Sequence, residues 1–292
     1  MTTPLGFVNV FKPSGITSAQ CGARVRRIYS SLAGHRLPAG HLGTLDPDAA
    51  GVLPIAIGKA TRLLPLIEDR RKAYAFTIEL GRATATGDAS GETVRTGAVP
   101  ADAHALLRAA AARFVGVVEQ IPPMFSAVRQ DGRRLYEIAR EGREVERKSR
   151  KITIYDLRVL GFEGAAARMR VACSEGTYVR TLCEDLGNAV GAPAHMGALL
   201  REAAGPFVLY ESLTLDEIAA VPEGALVSPE RVIPFPTIVL DGRGAADFRA
   251  GRIVPLPGGA GNRHVFVRDS MRSLVGVGEA VGALLAPRKV FV

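Results

Sequence analysis

The most informative part of the sequence runs from Gly40 to Gly51 and reads GHLGTLDPDAAG. It is dense in Gly, Asp and Pro, which punctuate secondary structure, so it is predicted to be a loop. An isolated Asp-Pro pair such as Asp46-Pro47 is usually an Asx-turn or a helix cap. The apolar run Val52–Ile57 follows the loop and is typical of a short buried strand. The sequence therefore predicts a polar loop held between ordered elements.

The segments around this loop carry strand and helix patterns. A strand is predicted at Gly6–Phe11, followed by a helix with Ser18 as its N-cap that ends near Gly34. The apolar face of that helix consists of Cys21, Val25, Ile28 and Leu32. Period-two alternation predicts a strand at Tyr74–Leu80, with Tyr74 on its buried face. Further helices are predicted at Asp102–Phe114, Val179–Val190 and Thr214–Val221, and strands at Ile152–Leu160 and Ala166–Cys173.

The chain changes character after Pro234-Phe235-Pro236. Short β-rich pieces are predicted from there onward, at Thr237–Leu240, Ile253–Leu256, His264–Val267 and Leu274–Gly278. We therefore place a domain boundary here, between residues 1–236 and residues 237–292. The second segment is long enough for a compact barrel-like β module, a shape that is common among RNA-contacting domains.

Composition excludes several classes of protein. With 47% hydrophobic and 23% charged residues, the 292-residue chain is expected to fold rather than to be disordered or fibrous. No apolar run approaches the ~20 residues that cross a bilayer, and no signal-peptide pattern is present, so a cytoplasmic protein is expected. Cys21, Cys173 and Cys183 form no CxxC pair and the five histidines no HExxH spacing. We read the cysteines as core residues and expect chemistry without a metal.

The charge of the chain is strongly positive and unevenly distributed. The formal net charge is +8, and the stretch from Arg129 to Lys151 has nine basic and five acidic residues, so it alone contributes +4. One interpretation is a solvated helix face laced with ion pairs. The other is a mobile arm that grips phosphates. From charge alone, a nucleic-acid partner is plausible but not required.

The Gly40–Gly51 stretch resembles the catalytic loop of the tRNA pseudouridine-55 synthase family, which reads approximately G-H-x-G-x-L-D-P-x-A-x-G. Four other segments resemble elements of the same family in the same order: Lys12–Ser18 (KPSGITS), Lys72–Tyr74 (KAY), Ile121–Ala127 (IPPMFSA) and Gly176–Leu182 (GTYVRTL). The resemblance covers most of the chain. It implies an α+β fold with a mixed, largely antiparallel central sheet flanked by helices, and a small C-terminal PUA-like β-barrel.

The resemblance also implies an activity, the isomerisation of uridine to pseudouridine in the T-loop of tRNA. Asp46 would be the catalytic residue, and its role stays open between attack on the sugar, attack on the base and removal of a sugar proton. Arg180 would keep the Asp46 carboxylate ionised by lowering its pKa. Because a stacked base cannot reach a buried carboxylate, the uridine would be flipped out. Tyr74 would stack on the flipped uracil.

The remaining substrate-binding residues implied by the resemblance surround that pocket. Tyr178 would line the pocket, Leu199 would add an apolar wall, and His41 would fill the space that the flipped nucleotide leaves in the RNA. Without the resemblance, core packing would be the better interpretation of each tyrosine, and loop packing of the histidine.

The basic stretch resembles the family's RNA-gripping thumb, here at about residues 124–151. Its implied RNA-binding residues are Arg129, Arg133, Arg134, Arg140 and Arg143. The implied partner is the T-arm of tRNA, with no cofactor, no membrane and no obligatory protein partner, and the protein is expected to be a monomer. Two alternatives stay open: an RNA-binding or tRNA-folding module in which catalysis is incidental or absent, and the guide-RNA-dependent relative that works inside a ribonucleoprotein.

Overall fold

The computed structural model describes residues 3–126, 128–130, 132–256 and 261–291, without the side chains of Arg129, Arg134 and Arg140. Its strands are β1 (Gly6–Lys12), β2 (Ala39–His41), β3 (Ala50–Ile57), β4 (Lys72–Leu80), β5 (Arg82–Thr84), β6 (Thr93–Thr96), β7 (Gly116–Gln120), β8 (Arg129–Gln130), β9 (Arg133–Arg134), β10 (Arg150–Glu163), β11 (Ala166–Cys173), β12 (Ala194–Ala204), β13 (Phe207–Val208), β14 (Thr237–Val239), β15 (Val254–Pro255), β16 (Arg263–Arg268), β17 (Leu274–Val281) and β18 (Leu284–Val290).

The helices are α1 (Ser18–Ala33), α2 (Ala103–Arg113), α3 (Leu135–Arg140), α4 (Val179–Val190), α5 (Leu215–Ala220), α6 (Pro229–Val232) and α7 (Gly242–Arg249). Two 3₁₀ segments occupy Gly58–Leu66 and Leu209–Glu211. The long predicted elements are confirmed, because strong periodicity is the most reliable signal in a sequence.

A mixed sheet of nine strands forms the centre of the molecule. Its main order is β1-β3-β12-β4-β11-β10-β7, with β2 paired to β3 and β13 to β12. All pairs are antiparallel except β3 with β12. The helices α2 and α4 cover one face of this sheet, where Tyr74, Phe76 and Ile78 of β4 join their core. The α+β class and the largely antiparallel sheet are therefore as expected.

The predicted N-cap of α1 was one residue out of place. Thr17 caps the helix and forms a capping box with Gln20. Ser18 instead exchanges two hydrogen bonds with the backbone of Leu45, at 2.8 and 2.9 Å. The loop at Gly40–Gly51 is also shorter than predicted. Its first two residues belong to β2 and its last two belong to β3.

The apolar face of α1 is shifted as well. Cys21, Val25 and Tyr29 are buried, whereas Leu32 is exposed. The three cysteines are free and buried, as expected of core residues.

The C-terminal segment forms a separate five-stranded sheet with the order β14-β16-β17-β18-β15. Helix α7 and strand β18 were not predicted. The described strands do not demonstrate a closed barrel, so the barrel and the boundary at residue 236 stay predictions. Phe266, Val277 and Phe291 of this segment share a hydrophobic cluster with Phe7 and Val52 of the central sheet.

Candidate active site

The loop between β2 and β3 opens into a pocket of about 310 Å³. Asp46 lines this pocket together with Leu199 on β12, and the other lining residues are Asp48, Ala49, Asp88, Ala89, Ser90, Met196 and Gly197. A larger and more open groove of about 530 Å³ lies elsewhere and contains none of the predicted site residues. The pocket at Asp46 is of the size that small ligands occupy, roughly 300 Å³ and above.

One side of the loop is held by the connection between β1 and α1. Lys12 is completely buried, and its Nζ donates to the carbonyls of Pro13, Ile16 and Pro47 at 2.6 to 2.9 Å. The Gly15 amide donates to the same Pro47 carbonyl at 2.9 Å. Together with the Ser18 hydroxyl, these bonds fix the backbone on both sides of Asp46.

The other side of the loop is held by Arg201 on β12. This side chain is also completely buried, and its guanidinium donates to the carbonyls of Gly43, Thr44 and Val52 at 2.7 to 3.2 Å. Gly51 lies directly opposite Arg201 with a φ of +110°, and a Cβ there would sit 2.3 Å from the Arg201 carbonyl oxygen. Only glycine allows this close approach of the two strands.

Arg180, at the start of α4, connects the loop to two other segments. Its Nε lies 3.1 Å from Asp46 Oδ2 and 3.8 Å from Asp88 Oδ2. Its Nη1 and Nη2 donate to the carbonyls of Thr86 and Phe125, at 3.0 and 2.8 Å. The guanidinium is therefore fixed in place and faces two carboxylates.

The pKa of Asp46 moves in the direction opposite to the sequence prediction. Burial raises the pKa of this carboxyl above its ordinary value of 3.8, and Arg180 opposes that rise without cancelling it. The nearby Asp88 adds to the rise. The prediction that Arg180 favours the ionised form is correct in sign, but the desolvation of the carboxylate is the larger effect.

The two tyrosines occupy different environments. Tyr74 is buried on β4, where burial raises the pKa of its hydroxyl and Arg201 opposes the rise. Tyr178 is half-buried at the N-cap of α4. The side-chain amide of Gln120 donates to the Tyr178 carbonyl at 3.0 Å and accepts from the Tyr178 amide at 2.8 Å. The backbone of each tyrosine is thus fixed by hydrogen bonds or strand pairing.

His41 lies at the end of β2, where the loop begins. Its buried Nδ1 has no hydrogen-bond partner among the described residues. Burial lowers the pKa of His41, and the nearby Arg201 lowers it further, so the imidazole is neutral at physiological pH.

The predicted thumb contains β8, β9 and α3. Arg133 and Arg143 both pair with Glu141, and Arg147 donates to the Pro122 carbonyl at 3.1 Å. This network supports the ion-pair interpretation of the basic stretch in the RNA-free chain. The side chains of Arg129, Arg134 and Arg140 lie outside the described part of the structure.

Two residues of the site were missed from the sequence. Asp88 follows a Thr-Gly pair in a turn-rich segment, and Arg201 is a lone arginine in an apolar strand. Neither position carries a local signal, because both depend on contacts with distant segments. Within the described ranges, no cluster of three His, Cys, Asp or Glu side chains could hold a metal ion. None of the helices among those residues is long and apolar enough to cross a membrane.

Comparison with known proteins identifies the family of this chain. The family model for the TruB family pseudouridylate synthase N-terminal domain matches residues 32–179, and that for the tRNA pseudouridylate synthase B C-terminal domain matches residues 180–226. A tRNA pseudouridine synthase B of Heliobacterium modesticaldum is 42% identical, over 98% of this chain and 95% of that protein. One of Dechloromonas aromatica is 40% identical, over the same shares of the two chains.

Solved structures with the same fold include the Cbf5 protein of an archaeal box H/ACA sRNP Nop10-Cbf5 complex. It aligns with a TM-score of 0.67 and 25% identity, over 99% of this chain and 87% of that one. A Cbf5-Nop10-Gar1 complex aligns with a TM-score of 0.66 and 27% identity, over 98% and 85%. The fold and the site thus define a pseudouridylate synthase. Within that class, the chain belongs to the TruB family.

Proposed function

We propose that this protein converts uridine 55 in the T-loop of tRNA to pseudouridine, with Asp46 as the catalytic residue. The observation that carries the proposal is the Asp46 carboxylate, which lines a nucleoside-sized pocket and lies 3.1 Å from the buried Arg180 guanidinium. The named tRNA pseudouridine synthase B relatives support tRNA as the substrate.

The reaction is an isomerisation and needs no net oxidant or water. The N1–C1′ bond of the nucleotide breaks, the uracil turns, and its C5 forms a bond to the same C1′. The hydrogen on C5 then leaves to solvent, and N1 takes up a proton. Asp46 acts in its ionised form, either as a nucleophile at the sugar or base or as the base that removes a sugar proton. No step requires a cofactor.

Arg180 orients the Asp46 carboxylate and favours its charged form against the effect of burial. Its side chain is buried and makes two bonds to backbone carbonyls, so little reorganisation is needed when substrate enters. Asp88 shares the same guanidinium and limits how far Arg180 can turn toward Asp46.

The remaining residues of the proposed site receive the flipped nucleotide. Tyr74 stacks on the uracil, Leu199 gives an apolar wall, and Tyr178 closes the pocket near Arg180. Stacking offsets part of the cost of unstacking the base, which is about a few kcal/mol. His41 occupies the space vacated in the RNA loop.

The thumb and the C-terminal segment extend the RNA-binding surface. Arg133 and Arg143, with Arg129, Arg134 and Arg140, contact phosphates of the T-arm stem. The C-terminal segment, as a PUA-like module, contacts the acceptor end of the tRNA. The protein works as a cytoplasmic monomer without a protein partner.

Tritium release tests the proposal. A T-arm stem-loop with 5-tritiated uridine is incubated with purified wild-type protein, Asp46→Asn, and Asp48→Asn as a matched control in the same loop and pocket. Wild type and Asp48→Asn are expected to release tritium, and Asp46→Asn to release none while its RNA affinity stays within about threefold. Turnover by Asp46→Asn would exclude it as the essential residue.

The same assay tests the site of modification and the autonomy of the enzyme. A stem-loop with cytidine at position 55 and tritiated uridines elsewhere is expected to give no release. Failure of the wild type on the bare stem-loop, with activity only in the presence of a guide RNA or partner, would favour the ribonucleoprotein alternative.

A further inference from the structure

Arg201 is the largest completely buried side chain of the described chain. It lies on β12 and donates to backbone carbonyls on two segments, Gly43 and Thr44 in the loop and Val52 in β3. On its other side, β12 pairs with β4 so that Arg201 stands directly opposite Tyr74. The two side chains therefore lie next to each other on the same face of the sheet, and Arg201 opposes the rise that burial causes in the pKa of the Tyr74 hydroxyl.

The charge of Arg201 has no carboxylate partner within ion-pair distance in the described part of the structure. Arg180, by contrast, faces Asp46 and Asp88. A buried cation without a counterion is disfavoured, because its desolvation is not offset by a charge of opposite sign. An apolar side chain could fill the same volume, although the carbonyls of Gly43 and Thr44 would lose their donors. The presence of a cation here therefore calls for a specific role.

The contacts of Arg201 connect the groups that the proposed reaction needs. Thr44 is two residues before Asp46, so a bond to its carbonyl limits movement of the carboxylate. Tyr74 is the ring placed against the uracil. Leu199, two residues before Arg201 on the same strand, forms the pocket wall. The Arg201 side chain thus lies between the loop and the stacking ring, and its strand also carries the pocket wall.

We infer that Arg201 is a positioning residue for the isomerisation, holding the loop that carries Asp46 and the Tyr74 ring in one fixed relation. The inference rests on the proposed function. It assigns to Arg201 an effect on the rate of the chemical step, transmitted through Tyr74 and the loop, and not an effect on RNA affinity.

A double-mutant cycle tests this coupling. Arg201→Lys keeps the charge, but a single ammonium group cannot reach the carbonyls of Gly43, Thr44 and Val52 as well as Tyr74. Tyr74→Phe removes the hydroxyl. Single-turnover tritium release is measured with enzyme in excess over the T-arm stem-loop, together with the dissociation constant and the thermal unfolding midpoint. Lys12→Met is the matched control, because Lys12 is an equally buried cation that holds the same loop at Pro47 and lies outside the contacts of Tyr74.

Arg201→Lys is expected to slow the single-turnover rate about 50-fold with the dissociation constant within about threefold of wild type. In the Tyr74→Phe background, the same change is expected to cost less than about fivefold, whereas the losses from Lys12→Met and Tyr74→Phe multiply. Multiplicative losses for Arg201 and Tyr74, or a loss confined to RNA affinity, would overturn the inference.

Two further outcomes are also decisive. If Arg201→Lys does not fold, Arg201→Gln replaces it in the cycle, and failure of both to fold assigns Arg201 a purely structural role and overturns the inference. A wild-type protein that releases no tritium overturns the proposed function and this inference with it, whereas an active wild type with an additive cycle overturns the inference alone.

Discussion

The loop at residues 42–49 and the thumb at residues 124–151 both belong to the proposed RNA-binding surface, but they are held in different ways. Two buried cations, Lys12 and Arg201, bind the backbone around the loop, where water cannot compete. The thumb carries ion pairs between exposed side chains, such as Arg133 with Glu141. Exposed pairs contribute little and are screened by salt, whereas buried donors that lose their partners are costly. The conformation of the loop is therefore fixed by buried contacts, whereas the exposed side chains of the thumb can exchange their ion-pair partners.

Arg180 is the place where the two regions meet, since it contacts Asp46 and the Phe125 carbonyl. Arg180→Met is expected to lower the single-turnover rate by about 10³-fold or more, equivalent to about 4 kcal/mol. Because Arg180 lowers the pKa of Asp46, its loss raises that pKa further, so the acidic limb of the pH–rate profile is expected to move to higher pH. Rate profiles of the two proteins measure both effects. An unchanged acidic limb would show that the ionisation of Asp46 does not control the rate.

Breaking the loop's support is expected to give the next largest effect. Gly51→Ala combines a positive φ with a Cβ that would overlap the Arg201 backbone, and is expected to cost at least about 3 kcal/mol of unfolding free energy. Gly15→Ala is the control, because its φ is +87° but no atom lies within 4 Å of the added carbon. It is expected to cost about 1 kcal/mol. Equal losses in urea unfolding would argue against the close contact at Gly51.

A smaller effect concerns the stability of the folded protein and how it depends on the ionisation of Asp46. Burial raises the pKa of Asp46 in the folded chain, so ionisation at neutral pH opposes folding. Asp46→Asn is therefore expected to stabilise the protein at pH 7, by less than about 1 kcal/mol because 40% of the side chain stays exposed. The gain is expected to shrink as the pH falls through the raised pKa and to disappear below 3.8, where the carboxyl is protonated in both states. Thermal unfolding of both proteins across this pH range measures the change in stability. Destabilisation by Asp46→Asn at pH 7 would contradict the prediction.

The thumb is expected to respond least. Arg133→Ala is expected to weaken T-arm binding only a few-fold and to reduce the slope of log K against log salt by about 1, with the saturating single-turnover rate unchanged. Binding titrations from low to moderate salt measure the slope, with Arg158→Ala, an exposed arginine that pairs with Asp156, as control. A reduced rate at saturation would show that the thumb also shapes the pocket.

The sequence predicted what depends on local pattern and missed what depends on distant contacts. The loop, β4 and α4 follow from turn residues and periodicity, and the structure confirms them. Thr17 and Ser18 are both good helix caps, and the choice between them depends on Leu45, which lies far away in the sequence. Helix α7 was missed because Gly242 and Gly244 lower its helix propensity.

Other misses have the same origin. Strand β18 contains Pro287, which reads as a strand breaker; Pro287 lies beyond the residues of β18 that pair with β15 and pairs with Gly278 of β17 next to a register shift, where a proline is tolerated. Burial of Arg201 cannot be inferred from one arginine in a strand. The net direction of the Asp46 pKa shift depends on the balance between the desolvation of the carboxylate and its attraction to one guanidinium. That balance follows only from the three-dimensional structure. Of the site, Asp46, Arg180 and Leu199 were expected together through family resemblance and do lie together, while their roles stay proposals.

The shared cluster of Phe7, Val52, Phe266, Val277 and Phe291 means that the C-terminal sheet is not a removable appendage. Leu42, at the beginning of the Asp46 loop, belongs to the same cluster. Truncation after residue 236 would remove Phe266, Val277 and Phe291, expose Phe7 and Val52 to water, and weaken the packing against Leu42. Loss of activity in a truncated chain would therefore indicate disturbed packing of the catalytic part before it indicated a lost contact with the acceptor end.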